Sequence, residues 1–330
     1  MKDTIIIYKG DKKMKKLISV LVVLMLIFVM SGVCLLAAEK PTIVVGNKNF
    51  TEEYLAGELM KQILEDRGFK VELKSDLSSM IMRQGMETGN IDVCMEYTGT
   101  AWMVHLAREY VPTGHEELYY MTKAADAANK MIWLQPMWNH NSYALAAWPE
   151  FSKENNIETL SDLAAFCNQK EGKVKTFIDF EFSQRPDGWP ALQETYNFAV
   201  NPDYLESAAP GASLIALGNH NTEVAMVFAT DASIAKYGWV VLRDDKNFFP
   251  PYDLTPVVRA EVLEKYPEVG IVLNELVAAF ANASIVPYTT EKLANAQRMW
   301  QWFNGKVDIE KKDANEAAYD FLVEHNLINK

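Results

Sequence analysis

The chain has 330 residues and a formal net charge of −12. Six Lys against two Asp in residues 1–38 leave about −16 on the remainder. So acidic a protein is excluded from binding nucleic acid, where affinity rests on neutralising phosphates.

Lys12, Lys13, Lys15 and Lys16 precede an apolar run over residues 17–30, followed by Ser31-Gly32 and Ala37-Ala38. Basic segment, apolar run and small-residue site in that order predict a secretory signal peptide, 1–38, cleaved near Ala38. A retained membrane anchor is the alternative, and a lipid anchor at Cys34 stays open, although Val33 stands where such sites usually carry a small residue. No later apolar run is long enough to span a bilayer. Cys94 and Cys167 are too few for a disulfide framework and sit in apolar settings that suit packed thiols. The exported part, about 290 residues, suits two α/β lobes.

Strands and helices then alternate. A short strand, 43–45, ends at Gly46. Thr51 is placed to cap a helix opening with Glu52-Glu53, in which Leu55, Leu59 and Ile63 share one face. Gly68 stops it, and Phe69, Val71 and Leu73 alternate as a strand. A second helix over 80–88 leads through Gly89-Asn90 to an apolar strand, 91–95, and then to Glu96-Tyr97-Thr98-Gly99-Thr100. Further strands are expected at 143–148, 174–178, 224–228 and 240–242. Helices are expected at 161–167 and after Asp187, which is placed to cap a helix with Pro190 in its first turn. From Thr255 the pattern reads as helical: 256–281 with a break at Pro267, then 290–303 and 313–325. With no linker in sight, the expected division is 39–140 for the first lobe, 141–243 for the second, and 244–330 returning to the first.

In open α/β sheets, ligands bind beyond the carboxyl ends of the strands. Lys48, Tyr97, Thr100, Tyr143, Arg185, Phe228 and Tyr252 all fall near such ends or in the loops beside them. Two cations, a hydroxyl and four aromatics are the parts needed for a small zwitterion with a bulky cationic head. A quaternary ammonium has no N–H to donate, so aromatic faces must hold it, each ring contributing about 0.5–2 kcal/mol. A carboxylate at the other end wants charge-assisted donors. The plainer alternatives are ordinary β-to-α loops, tyrosines that only pack, and Arg185 paired with Asp179 or Glu181. Trp102, Trp138 and Trp189 are expected to pack the lobes. Enzymatic signatures are missing: the five histidines lack zinc-like spacing, and neither a G-x-S-x-G elbow nor a phosphate loop occurs.

Several stretches, in order along the chain, carry a family likeness: "VVGNKNFTE", "GNIDVCMEYTGT", "NSYALA", "EFSQRPDGWPAL", "VFATDASI", "FFPPYDLTPVVR" and "AAYDFLVEHNLI". With these the chain resembles the OpuAC-like substrate-binding proteins of ABC importers for osmoprotectants such as glycine betaine, proline betaine, carnitine and choline. The resemblance implies a two-lobed type II periplasmic binding protein, each lobe a mainly parallel sheet flanked by helices. It implies a non-enzymatic, exported monomer without cofactor or metal, delivering its ligand to an ABC permease. It also implies an ammonium cage of Tyr97, Tyr143, Phe228 and Tyr252, and a carboxylate site of Lys48, Thr100 and Arg185. Phe228 departs from the tyrosine common in relatives but keeps a π face. Thr100 with Lys48 and Arg185 argues against a choline-only site. A solute sensor coupled to a receptor, or a retooled enzyme acting on trimethylamines, are the alternatives from other classes.

Overall fold

The computed structural model describes residues 40–280 and 288–329. The expected signal peptide, with Cys34, lies outside the described residues. From Thr42 onward the described residues belong to one compact unit. Its strands, in chain order, are β1 (Thr42–Lys48), β2 (Lys70–Leu77), β3 (Val93–Tyr97), β4 (Met131–Trp133), β5 (Tyr143–Ala147), β6 (Thr176–Asp179), β7 (Leu205–Ala208), β8 (Val224–Phe228), β9 (Val240–Val241) and β10 (Leu254–Arg259).

They form two five-stranded sheets, β2-β1-β3-β10-β4 and β7-β6-β8-β5-β9. Each is mixed. In the first, β1 pairs in parallel with β2 and β3, while β10 runs antiparallel to β3 and β4. In the second, β6 is parallel to β7 and β8, while β5 is antiparallel to β8 and β9.

This topology decides where a site can be built. β5 and β10 are the first strands laid down after the chain changes sheet. Because each runs antiparallel to its central neighbour, its first residue lies beside that neighbour's last. Tyr143 therefore pairs with Phe228, and Leu254 with Tyr97. The two crossing segments thus end at the same rim as the carboxyl ends of β3 and β8, where open α/β sheets bind ligands.

The helix Thr51–Asp66 buries Leu55, Leu59 and Ile63 against the first sheet, as their spacing by four requires. The largest apolar cluster is continuous across both sheets, joining Val45 and Val93 to Leu145 and Met226. Trp138 is fully buried against Tyr119 and Tyr288, and Trp189 against Phe182 and Phe198.

Several expected elements are corrected. Leu254–Arg259 is a central strand, not the start of a helix. Its β-branched Thr255, Val257 and Val258 suit a strand, and Pro256 sits in register with Met95. The helices of this region begin only at Ala260 and Pro267. The third strand runs two residues later than expected and ends at Tyr97 itself. Thr51 is the first helical residue, not the cap, and its hydroxyl donates to Asp308 Oδ1 at 2.6 Å. Asp187 does not cap the helix Trp189–Tyr196, because Arg185 and Tyr252 engage its carboxylate instead.

Candidate functional site

Lys48, Tyr97, Thr100, Tyr143, Arg185, Phe228 and Tyr252 all line one cavity of about 440 Å³, its mouth included. Both sheets contribute to it. Phe50, Ser79 and Asn141 line it too, and the sequence does not single them out; Asp179 and Glu181, read there only as possible partners of Arg185, also line it. Phe50 stands two residues past Lys48 in the same strand-end loop, so the rule that selects Lys48 also covers it.

The aromatic rings touch one another in a chain. Phe50 stacks on Phe228 with centroids 5.0 Å apart and lies 6.3 Å from Tyr97. Tyr143 is 5.2 Å from Phe228 and meets Tyr252 edge-on at 5.7 Å. Two of these contacts, Phe50–Phe228 and Tyr143–Tyr252, join residues of different sheets. A cation binds within about 6 Å of a ring centroid. Seating it between two faces therefore means parting them, and parting these two pairs separates the sheets.

Gly99 explains why β3 gives way to Thr98-Gly99-Thr100. A Cβ there would lie 2.8 Å from Pro251 O and 2.9 Å from the Tyr252 ring. Thr98 completes the junction: its hydroxyl donates to Pro251 O at 2.8 Å and accepts from Asp253 N at 3.0 Å. The glycine and the threonine dock the returning segment, and so place Tyr252 against the site.

The two cations are held differently. Lys48 Nζ is 2.5 Å from Glu96 Oε1, and Glu96 Oε2 is 2.9 Å from His105 Nε2. Burial alone would raise the Glu96 carboxyl, but Lys48 and His105 hold it well below the usual carboxylate range. Glu53 is 3.9 Å from Lys48, yet burial pushes its carboxyl up to about 8. It is mostly neutral at pH 7, and Glu96 is the true counterion. Arg185 forks onto Asp187 with bonds of 2.8 and 2.6 Å, reaches Glu181 at 3.0 Å, and donates across the sheets to Thr100 Oγ1 at 3.1 Å. Four of its five N–H groups are thereby used and one Nη1 hydrogen remains. Its guanidinium also lies 5.1 Å from the Tyr143 centroid. Of the pairings left open by the sequence, Glu181 is made.

Behind the rings lies a carboxylate with no cation bonded to it among the described residues. Glu52, fully buried, accepts from Tyr97 Oη (2.8 Å), Asn139 Nδ2 (3.0 Å), Asn141 Nδ2 (3.1 Å), Thr230 Oγ1 (2.6 Å) and Asn304 Nδ2 (3.5 Å). Burial raises its carboxyl despite these donors. They come from the first sheet, the crossing segment, the loop after β8 and the helix Thr290–Asp308, so one side chain ties four parts of the chain together. The same helix donates from Gln297 to His140 O, from Gln301 to Ala229 O and from Asn304 to Thr230 O. In the sequence Glu52 reads only as a helix-dipole acid. Nothing in its spacing announces five neutral donors.

Among the described residues, no group of three or more His, Cys, Asp or Glu side chains is placed to hold a metal ion, and no helix is long and apolar enough to cross a membrane.

Two lobes built on mixed sheets, with a ring-lined cavity at the strand ends between them, define a solute-binding protein of the type II periplasmic class. A solved structure described as a glycine betaine/carnitine/choline ABC transporter shares this fold, with a TM-score of 0.65 at 24% identity over 87% of this chain and 100% of that one. Residues 41–324 match the family described as the substrate-binding domain of ABC-type glycine betaine transport systems, and the chain belongs to that family. It is 31% identical over 299 residues to the glycine-betaine-binding protein of Pseudomonas aeruginosa, covering 88% of this chain and 90% of that protein. It is 28% identical to the glycine betaine-binding protein YehZ of Escherichia coli, over 84% of this chain and 88% of the relative. The protein is accordingly an exported, non-catalytic component of an osmolyte ABC importer, working with a small-molecule ligand and a membrane permease.

Proposed function

We propose that the chain, as a monomer, captures glycine betaine or a close quaternary ammonium zwitterion. The lobes change over near residues 140 and 243. The trimethylammonium head lies among Tyr97, Tyr143, Phe228 and Tyr252, with Phe50 as a fifth face. The observation that carries this reading is the convergence of those rings, from strand ends of both sheets, on one cavity with Arg185 and Thr100 at its edge. The ligand replaces ring–ring contacts between lobes with ring–cation contacts, so its binding and the spacing of the lobes are coupled.

The carboxylate of the ligand is assigned to the remaining Nη1 hydrogen of Arg185 and the hydroxyl of Thr100. Lys48 contributes its field more than a direct bond, since Glu96 holds its ammonium. A second reading, with choline preferred, is favoured by the acids on the cavity wall. Burial raises Asp179 to about 6, and Glu181 lies beside it; neither suits a ligand carboxylate.

Calorimetric titration with glycine betaine, carnitine, choline and dimethylglycine tests both. Glycine betaine is expected to bind most tightly. Dimethylglycine should bind more weakly, because its N–H⁺ is strongly hydrated and prefers an acceptor. Preference for choline would select the second reading, and no heat with any quaternary compound at millimolar concentration would sink both.

A further inference from the structure

A second, larger space of about 1230 Å³, its open side included, lies directly beside the aromatic cage. The stacked pair Phe50 and Phe228 lines both cavities and forms the wall between them. Any opening that admits a cation between those two rings also joins the two spaces.

The charged residues of this second space are Glu52, Asp231, Asp308 and Lys311. Three acids face one lysine, but the acids are not equivalent. Both oxygens of Glu52 are saturated by its five donors. Asp308 accepts from Thr51 through one oxygen only. Asp231 is 8% exposed; its Oδ2 accepts from Phe228 N at 2.7 Å, and its Oδ1 has no partner among the described residues. Asp231 also stands at the cap position of the helix Ala232–Tyr237 without capping it. Oδ1 is not fully enclosed: it faces the cavity, where it is free to accept from a donor that enters. Lys311 does not neutralise it, because its Nζ donates to Asp308 O at 2.6 Å and the residue is exposed.

We propose that this space is a second subsite, in which Asp231 receives a protonated primary amine carried on the same ligand whose trimethylammonium end occupies the cage. The inference rests on the proposed ammonium cage and narrows its ligand class to trimethylammonium compounds extended by an N–H-bearing cation. Such a group can donate to the open oxygen, which a trimethylammonium cannot. The electrostatics agree. Burial pushes the Asp231 carboxyl up to about 8, with Asp308 and Glu52 adding to the rise, while Tyr54 and Lys311 are the other titratable groups on the cavity wall. At pH 7 Asp231 is therefore largely protonated. An arriving ammonium lowers its pKa, so binding releases a proton and tightens as pH rises through about 8.

The test titrates the protein with glycine betaine, butyltrimethylammonium and (4-aminobutyl)trimethylammonium, at pH 7 in two buffers of different ionisation enthalpy. The amine-bearing compound should bind tighter than its butyl counterpart by about tenfold or more. It alone should release protons. Asp231→Asn, which keeps an acceptor for Phe228 N, should abolish both differences while leaving glycine betaine affinity unchanged. If that variant does not fold, the wild-type advantage of the amine should still grow between pH 6 and 9. Binding of glycine betaine or butyltrimethylammonium with no gain from the amine, with a gain that survives Asp231→Asn, or with a pH-independent gain overturns the subsite and leaves the cage standing. No binding by any of the three overturns the cage itself.

Discussion

Lys48 and Arg185 look alike in the sequence: each is a cation close to a strand end, facing the same predicted carboxylate. Their surroundings differ. Lys48 is neutralised within its own lobe by Glu96, whose other oxygen is fixed by His105. Arg185 is shared between two carboxylates of its own lobe, Asp187 and Glu181, and the hydroxyl of Thr100 in the other. A charge paired locally stabilises the lobe that holds it. A charge bonded across the cleft reports on whether the cleft is closed.

The largest expected effect comes from removing the partner of Lys48. Glu96→Gln leaves a buried ammonium without its counterion and should cost about 3–5 kcal/mol of stability. Denaturant unfolding measures it; a loss under about 1 kcal/mol would mean that Lys48 finds water or ligand, and the contrast with Arg185 would vanish.

Arg185→Ala comes next. It should weaken glycine betaine by about 2–3 kcal/mol and choline much less, by calorimetry with both ligands. Equal losses would take the ligand carboxylate away from Arg185. From the sequence, Arg185 reads as a cation that either meets the ligand or pairs with Asp179 or Glu181. At 6% exposure, with Asp187 buried against it, a stability loss is expected as well.

Hydroxyls sharpen the comparison further. Tyr97→Phe keeps the aromatic face but removes a donor from Glu52, and should cost about 1.5–2 kcal/mol of stability. Tyr143 has no hydrogen bond from its hydroxyl among the described residues, so Tyr143→Phe should be close to neutral. Equal costs in thermal unfolding would show that the Glu52 bond is not what distinguishes them.

Taken per pH unit, the smallest effect is a titration. Glu53 is raised to about 8 in the folded chain from an ordinary value of 4.5. The folded state thus binds the extra proton between those values, and stability falls as pH rises through that window. Glu96 acts in the opposite sense: its stabilisation is present above the ordinary carboxylate pKa and is lost as acid is added below it. Glu53→Gln should flatten the decline in melting temperature between pH 5 and 8, by at most about 1.4 kcal/mol per pH unit. An unchanged profile would mean that Glu53 is ionised and shares Lys48 with Glu96.

The site is legible further than the fold around it. Strand ends can be read from where apolar runs stop, so all seven candidate residues reach one cavity although they come from six separate stretches. Phe50 escapes a reading of its loop by charge. Two kinds of feature stay hidden. One is who pairs with whom at a distance: Glu52 collects donors from residues 45 to 252 positions away, and no local pattern encodes that. The other is Leu254–Arg259, where Pro256 ahead of an apolar run imitates a helix start, and only a neighbouring strand with free edge groups decides otherwise.

The amides of Gln297, Gln301 and Asn304 grip the opposite segments only through the carbonyl oxygens of residues 140, 229 and 230. Every amino acid offers that oxygen. These contacts impose no choice of side chain at residues 140 and 229, whereas Thr230 is also held by the hydroxyl it donates to Glu52. The side chain of Phe228 takes part in none of these contacts, so it can change while the docking of the segment behind it survives.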